Sequence, residues 1–595
     1  MGQVGALDRS TQSHTTRTRR KATYSQLANT AQQPQLASKW SSLTRLLAVG
    51  FFLRIFAACL GHSGQGKPPM YGDFEAQRHW MEITTRLPVS QWYFHDPEWW
   101  RLDYPPLTAY HSWILGKIGT MANASWFDLY TSRGCEEAGL KTFMRITVFA
   151  SELLIFVPAV YLAVSQLGKT RAGKISTRHT QTAALIALLL QPAMILVDHG
   201  HFQYNTVMLG LCLAAMGSFL ADYNLAGCVF FVGALGFKQM ALFYAPAVAA
   251  YLAGTCFLPT VRPFRLLAIA TVTACSFAAL YAPLLFGTWY DVAHNLQLPP
   301  ATTGGSQPLS LFGPLPTAFQ PFANQIAQSI HRIFPFSRGL FEDKVANIWC
   351  SIHFSGVYKL AKHHSPETLS LAALALTMLL ILPPCLVIFF RPRKSLITLA
   401  FTACAWGFFL CSYQVHEKNV LLPLVPMTAL LASEQGERAA TRAWVGFANI
   451  VASWTLYHLL IKDDLQVAYL PLLGVWLYAM DLPPFSFKIY QKSSEHGGLS
   501  RLSKYIHLSA YAAIAIWHLV EAFIPAPASK PDLWIVANMI LGCMAFCSCY
   551  LWCLAMLIVE SGFVDDARAF LKSRAQDRIT PQNLWSQTCR GISAT

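Results

Sequence analysis

Apolar runs near or above the roughly 18–20 residues that a helix needs to cross a bilayer recur along most of this chain. Hydrocarbon offers no partner to a peptide N–H or C=O, so each run must satisfy its own backbone and is read as a helix. Composition agrees with lipid as the solvent. Only 13% of the 595 residues are charged, against about 25% in an ordinary soluble chain. The polar, basic N-terminal segment is followed by an apolar run that lies too deep and is too long for a cleavable signal peptide.

The net charge of +15 would suit a nucleic-acid partner in a soluble protein. Here the basic residues fall mostly in short segments between apolar runs, with no Arg/Lys stripe on a soluble domain. The excess of positive charge on cytosolic loops explains them better, and no nucleic-acid partner is expected. The fifteen cysteines lie mostly inside apolar runs, as Cys543, Cys547, Cys549 and Cys553 do, with no histidine at ligand spacing. They read as small buried apolar residues. Cys135 and Cys350 fall in long polar loops and could pair in an oxidising lumen.

Loop charge gives a topology. A basic cytosolic tail (1–42, with Arg17, Arg19, Arg20 and Lys21) precedes a transmembrane catalytic domain over 43–560, and 561–595 form a cytosolic C-terminal tail. The first span covers 43–60 and the second about 143–166. Basic loops then recur on the tail's side: Lys169 to Arg178, Arg262 and Arg265, Arg391 to Lys394, Arg438 and Arg442, Lys488 to Lys504. The count comes to about fourteen spans, with Phe237–Met240 marking a place where one long run divides into two helices. On the opposite side lie long loops at about 61–142 and 288–366, and the short segments Asp198–His201 and Tyr413–Lys418. The sequon Asn123-Ala124-Ser125 is there as well, which places that face in the lumen of the endoplasmic reticulum. No internal repeat is visible, which weakens a transporter built from inverted halves.

The chemistry-bearing residues gather on this second face. Asp73, after Gly72 and before a helix-permissive stretch, reads either as an N-cap or as a general base whose basicity partial desolvation would tune. Asp73 and Glu75 would diverge on a helix, so no metal is expected between them, and His199 and His201 lack a third ligand nearby in sequence. Trp92, Tyr93, Trp99 and Trp100 suit either a segment in the headgroup belt or stacking against sugars. The stiff Tyr104-Pro105-Pro106 could fix Asp103 in space. His416, Glu417 and Lys418 are either solvated residues at a helix end or groups that meet a phosphate. Glu342, Asp343, Lys344 and Arg338 form a similar cluster. Arg54, inside the first span, snorkels or meets an anion, and snorkelling is the simpler expectation.

Several strings are distinctive: Tyr71 to Thr84 (YGDFEAQRHWMEIT), Leu102 to Tyr110 (LDYPPLTAY), Asp198 to Asn205 (DHGHFQYN), Gly236 to Met240 (GFKQM), Gly339 to Asn347 (GLFEDKVAN) and Val415 to Lys418 (VHEK). Together they closely resemble the dolichyl-phosphate-glucose glucosyltransferases of the endoplasmic reticulum, over about residues 45 to 560. The Gly-Asp-Phe-Glu-Ala-Gln version is similar to the enzyme that adds the first glucose; the sibling that adds the second differs around Asp-Phe-Glu.

The resemblance implies an all-α, multispanning, inverting enzyme of the C-type glycosyltransferase fold, without metal or other cofactor. It implies dolichyl phosphate glucose as donor, a high-mannose oligosaccharide on dolichyl pyrophosphate as acceptor, and an alpha-1,3 linkage made in N-glycan precursor assembly. The family's base matches Asp73; Asp103, Glu342, His416 and Glu417 match other site positions, and Lys418 or His416 is the expected cation at the leaving phosphate. One carboxylate suffices because phosphate leaves without a general acid, unlike the paired carboxylates of glycoside hydrolases. A transferase of another dolichyl-linked sugar and a membrane transporter are the competing readings, and a transporter would hold its ionisable groups near the bilayer midplane.

Overall fold

The computed structural model describes residues 43–169, 178–296, 316–334, 340, 341 and 343–569. They are helical, and among them nine helices are long and apolar enough to cross a membrane. Three shorter apolar helices, Asn205–Leu220, Asn224–Phe237 and Gln466–Ala479, accompany them, as does the opening helix Leu43–Cys59. The expected figure of about fourteen spans is not reached by the helices of membrane length among the described residues, which number nine. One break falls where the sequence suggested it. The helix Asn224–Phe237 ends at Lys238, which is extended (φ −147°, ψ 123°), and a 3₁₀ segment, Gln239–Tyr244, resumes the path.

The spans differ in what surrounds them. Three are enclosed by protein, with 83% of Thr180–Phe202, 83% of Lys394–Cys411 and 89% of Ala439–Lys462 buried in their most apolar windows. Pro263–Ala293 and Arg501–Phe523 are only 11% and 17% buried and face outward. The enclosed helices run between two chemically distinct ends. Lys394 pairs with Asp222, just beyond helix Asn205–Leu220, while Arg438 pairs with Glu560 at 2.7 Å and Arg391 with Asp566. The other termini of the same helices lead to Asn205, Tyr413–Lys418 and Asp463. Helix Lys394–Cys411 separates the ends by about 27 Å at 1.5 Å per residue, close to the roughly 30 Å hydrocarbon thickness.

The first long loop is a small folded unit. Helix Asp73–Arg86 and helix Pro106–Ala122 pair, and Trp80, Ile83, Trp92, Tyr93 and Leu102 bury their side chains together with Leu284 of the outer span Pro263–Ala293. The aromatic residues read as headgroup or sugar contacts are therefore, at Trp92 and Tyr93, core residues that dock the loop on the bundle. Trp99 carries the Arg133 guanidinium over its ring at 4.5 Å. A helix from the second long loop, Gln320–Ile333, reaches the first through Gln328 and Arg332, which both donate to the Tyr93 carbonyl at 3.2 Å. Cys135 and Cys350 are free thiols and do not pair; Cys350 is buried against the Asp343 carbonyl at 3.4 Å.

Arg54 also departs from expectation. It does not snorkel but forms a two-pronged pair with Glu152, both bonds 2.6 Å, and Glu152 is in turn 2.7 Å from His199. Glu152 starts a π-helical turn within Ala138–Leu167. Its partner was hidden in an apolar run, where pairing removes the need for the guanidinium to reach water.

Candidate active site

Helix Asp73–Arg86 begins at the membrane-proximal end of the first loop, and its start is fixed from a distance. Asp73 is not the N-cap. Gly72 holds that position without a side chain, and the cap is Ser63, whose Oγ accepts from the Asp73 N–H at 3.0 Å. A Cβ on Gly72 would lie 2.3 Å from that Oγ, so glycine is what lets Ser63 come this close. The Asp73 carboxylate is thereby released from capping and points toward the bundle.

Three side chains from two segments converge on it. His201 places Nε2 2.9 Å from Asp73 Oδ2, Gln203 donates its amide N–H to the same oxygen at 2.5 Å, and the Lys418 ammonium donates to it as well. His201 and Gln203 flank Phe202, whose φ of 91° is a strained value for a bulky side chain. Such strain persists only where surrounding contacts hold it, and here it marks the turn that sends both neighbours to one carboxylate. The other imidazole nitrogen, Nδ1, lies 2.5 Å from Asp463 Oδ2. Asp463 follows Lys462 at the end of the enclosed helix Ala439–Lys462.

Gln203 is oriented in its turn. The Lys238 ammonium lies 3.3 Å from Gln203 Oε1 and 2.7 Å from Asn205 Oδ1. Because the cation occupies the carbonyl side of the amide, the NH₂ side is left for Asp73. Asn205 donates to Asp198 at 2.8 Å, and Asp198 also accepts the Thr206 N–H at 2.7 Å, holding the start of helix Asn205–Leu220. Lys238 sits 4.9 Å over the Tyr104 ring and within electrostatic reach of half-buried Asp103. The break after Phe237 is what admits this lysine to the site.

Burial alone would raise the Asp73 carboxyl, but the Lys418 ammonium and His201 outweigh it and hold the group well below the usual carboxylate range. The same pairing overcomes desolvation at Lys418 and holds its ammonium above the ordinary lysine value. Each partner therefore keeps the other charged.

The remaining sequence candidates separate. His416 meets Asp343 at 2.5 Å and is partly exposed. Glu417 faces the other way, into a buried contact with His458 at 3.1 Å; burial would raise it, but His458 outweighs burial and its carboxyl is lowered. Glu342 and Arg338 lie outside the described residues. Glu75 does not join Asp73: it grips Arg78 through two bonds of 2.8 and 2.7 Å. His199 and His201 likewise serve separate carboxylates. Among the described residues no three His, Cys, Asp or Glu side chains gather as a metal would require.

A half-buried carboxylate bonded by a lysine and a histidine, at one end of helices long enough to cross a membrane, is an arrangement that a membrane-embedded group-transfer enzyme can use. The chain belongs to the ALG6, ALG8 glycosyltransferase family, which it matches over residues 43–298 and 309–553. It is 41% identical over 509 residues to the probable dolichyl pyrophosphate Man9GlcNAc2 alpha-1,3-glucosyltransferase of Schizosaccharomyces pombe, covering 85% of this chain and 90% of that protein. It is 39% identical over 537 residues to the dolichyl pyrophosphate Man9GlcNAc2 alpha-1,3-glucosyltransferase of Saccharomyces cerevisiae (87% and 91% covered). The chicken (Gallus gallus) protein of that name is 34% identical over 530 residues (85% and 95% covered).

Proposed function

We propose that this chain is a dolichyl pyrophosphate Man9GlcNAc2 alpha-1,3-glucosyltransferase of the endoplasmic reticulum membrane, with dolichyl phosphate glucose as donor, its site facing the lumen and Asp73 as general base. The carrying observation is the convergence of His201, Gln203 and Lys418 on one oxygen of Asp73, Oδ2. That grip fixes the carboxylate in the plane of its contacts and leaves Oδ1 to meet an acceptor hydroxyl.

In the resting state Asp73 is a weak base, because Lys418 and His201 favour its ionised form. A donor phosphate carries the charge that Lys418 seeks. As the phosphate engages the ammonium, the lysine is shared, Asp73 gains basicity, and the acceptor mannose hydroxyl gives up its proton while its oxygen attacks the anomeric carbon opposite the phosphate. The carbon–oxygen bond to phosphate breaks with inversion, the phosphate keeps the electron pair, and Lys418 stabilises the charge that forms. His201, held by Asp463, and Gln203, held by Lys238, keep the carboxylate in place as its proton arrives. Asp103 lies beside Lys238 at the rim, and Glu342, His416 and Glu417 complete the substrate-binding set, Glu417 by anchoring the segment that carries Lys418.

The test is purified protein offered two donors, dolichyl phosphate glucose and dolichyl phosphate mannose, and two acceptors, the unglucosylated and the monoglucosylated lipid-linked oligosaccharide. Glucose transfer to the unglucosylated acceptor alone is the expected result. Transfer of mannose, or transfer only to the monoglucosylated acceptor, replaces this reading with that of another dolichyl-linked transferase or of the sibling enzyme.

A further inference from the structure

A groove of ≈ 480 Å³ lies between the opening helix Leu43–Cys59 and the span Ala138–Leu167, and it is lined by Arg54, Lys141 and Arg145 together with apolar side chains. Phe51, Ile55 and Ile146 are 41%, 42% and 59% exposed beside it, so its apolar part opens onto the lipid-facing surface. Lys141 and Arg145 lie toward the same end of the bundle as Asp73.

Among the described residues only one of these three cations is in an ion pair. Arg54 is neutralised by Glu152. Arg145, only 7% exposed, donates to three neutral acceptors: the His199 carbonyl, the Gly200 carbonyl at 2.8 Å and the Gly61 carbonyl at 3.0 Å. Among the described residues its Nε has no acceptor. Lys141 donates to the Leu60 carbonyl at 2.8 Å. Among the described residues neither cation is in an ion pair. Two unpaired cations at the headgroup level of an apolar groove are costly by themselves and complementary to a lipid anion.

Position decides which lipid. Arg145 holds the backbone at Gly61 and at residues 199–200, whereas Asp73 is held through Ser63 and the His201 side chain. Those two segments are joined to each other, Ser63 N–H donating to the His201 carbonyl at 2.9 Å. They form a wall that screens a phosphate on Arg145 from the catalytic carboxylate. We infer that the groove between Leu43–Cys59 and Ala138–Leu167 binds an anionic phospholipid of the bilayer, its phosphate on Lys141 and Arg145 and one chain along Phe51 and Ile146, and that this lipid braces the wall carrying His201. The bound lipid is a fixed component of the fold and not a reacting substrate.

The full chain is reconstituted in nanodiscs of phosphatidylcholine with a minor fraction of phosphatidylinositol, and the lipids retained after stripping are counted by native mass spectrometry. The unaltered protein is expected to retain phosphatidylinositol over phosphatidylcholine. Lys141→Gln is expected to lower that retention roughly fivefold, as loss of about 1 kcal/mol per lysine at a membrane surface implies, and Lys141→Arg to restore it. Thr142→Trp, which fills the groove without removing a charge, lowers retention too and decides the matter where Lys141→Gln fails to fold. Equal retention by all proteins overturns the inference. So does displacement of phosphatidylinositol by added dolichyl phosphate, which would make the groove a substrate site.

Discussion

The two ends of the enclosed helices both carry ion pairs and use them in opposite ways. At the basic end, Lys394–Asp222, Arg391–Asp566 and Arg438–Glu560 each tie a helical residue to a turn or loop, with side-chain exposures of 37% and 69%, 34% and 62%, and 46% and 12%. Each is a single pair that water and salt can screen, worth roughly 0–1 kcal/mol. At the other end Asp73 and Lys418 are each 19% exposed, His201 and Asp463 each 4%, and the groups share partners. A buried charge with three donors on one oxygen is held by geometry that no solvated pair achieves, and its protonation answers to its neighbours. The basic end holds separate single pairs; at the other end the same residue types share partners around one carboxylate.

That contrast breaks most sharply at Asp73. Asp73→Asn keeps the shape of the side chain and removes its ability to take a proton, so glucose transfer by purified protein is expected to fall by roughly 10²–10⁴, and by more if Asp73 also positions the acceptor. The protein should still insert and elute as the unaltered chain does, because the helix start is capped by Ser63 and not by Asp73. Turnover within about tenfold of the unaltered protein would place the base elsewhere.

Much of this was legible in the residues, and what was not has physical reasons. The run read as a span at 143–166 lies within the membrane-length helix Ala138–Leu167, and the run read at 43–60 forms the 17-residue helix Leu43–Cys59, which is not among the nine helices of membrane length. Asp73 and Lys418 were singled out separately, and nothing in a sequence says that residues 345 positions apart share a bond. Lys238 and Gln203 stood inside recognisable strings without an assigned role. Asp463 was missed: Lys462-Asp463-Asp464 looks like an ordinary solvated helix end, and only the alternation of loops places it on the face of Asp73. The capping reading failed because Ser63 acts from ten residues upstream, across a close approach that only a glycine at 72 permits. Arg54 was expected to snorkel because a single Glu152 does not interrupt an apolar run.

Lys418 separates the two roles a cation can have at the site. Burial pulls the Asp73 carboxyl up and Lys418 pulls it down. With Lys418→Gln the largest charge opposing burial is gone, the carboxyl rises, and the carboxylate is lost as pH falls through that higher value. The acidic limb of the pH–rate profile should therefore move to higher pH, and the maximal rate should fall about tenfold to hundredfold from lost support of the leaving phosphate. A limb that stays in place means that Lys418 binds phosphate without setting the basicity of Asp73.

Asp463 meets the Asp73 cluster through His201. Asp463→Asn retains the size of the side chain and exchanges a charge-assisted hydrogen bond for a neutral one about half as strong. The expected loss is about tenfold in kcat with KM for both substrates unchanged, since Asp463 reaches neither. Equal changes in kcat and KM would show that the residue supports the substrate pocket as a whole and does not position one imidazole.

The smallest effect belongs to the basic end. Arg391→Gln removes the exposed partner of Asp566, and a solvated pair of this kind contributes at most about 1 kcal/mol, less as salt is added. Glucose transfer and its pH profile should match those of the unaltered protein, and any shift in thermal stability should shrink between low and high ionic strength. Were Arg391→Gln instead to move the pH limb governed by Asp73, the two ends would be coupled through the enclosed helices, and charge at the basic end would do more than fix the orientation of the chain in the membrane.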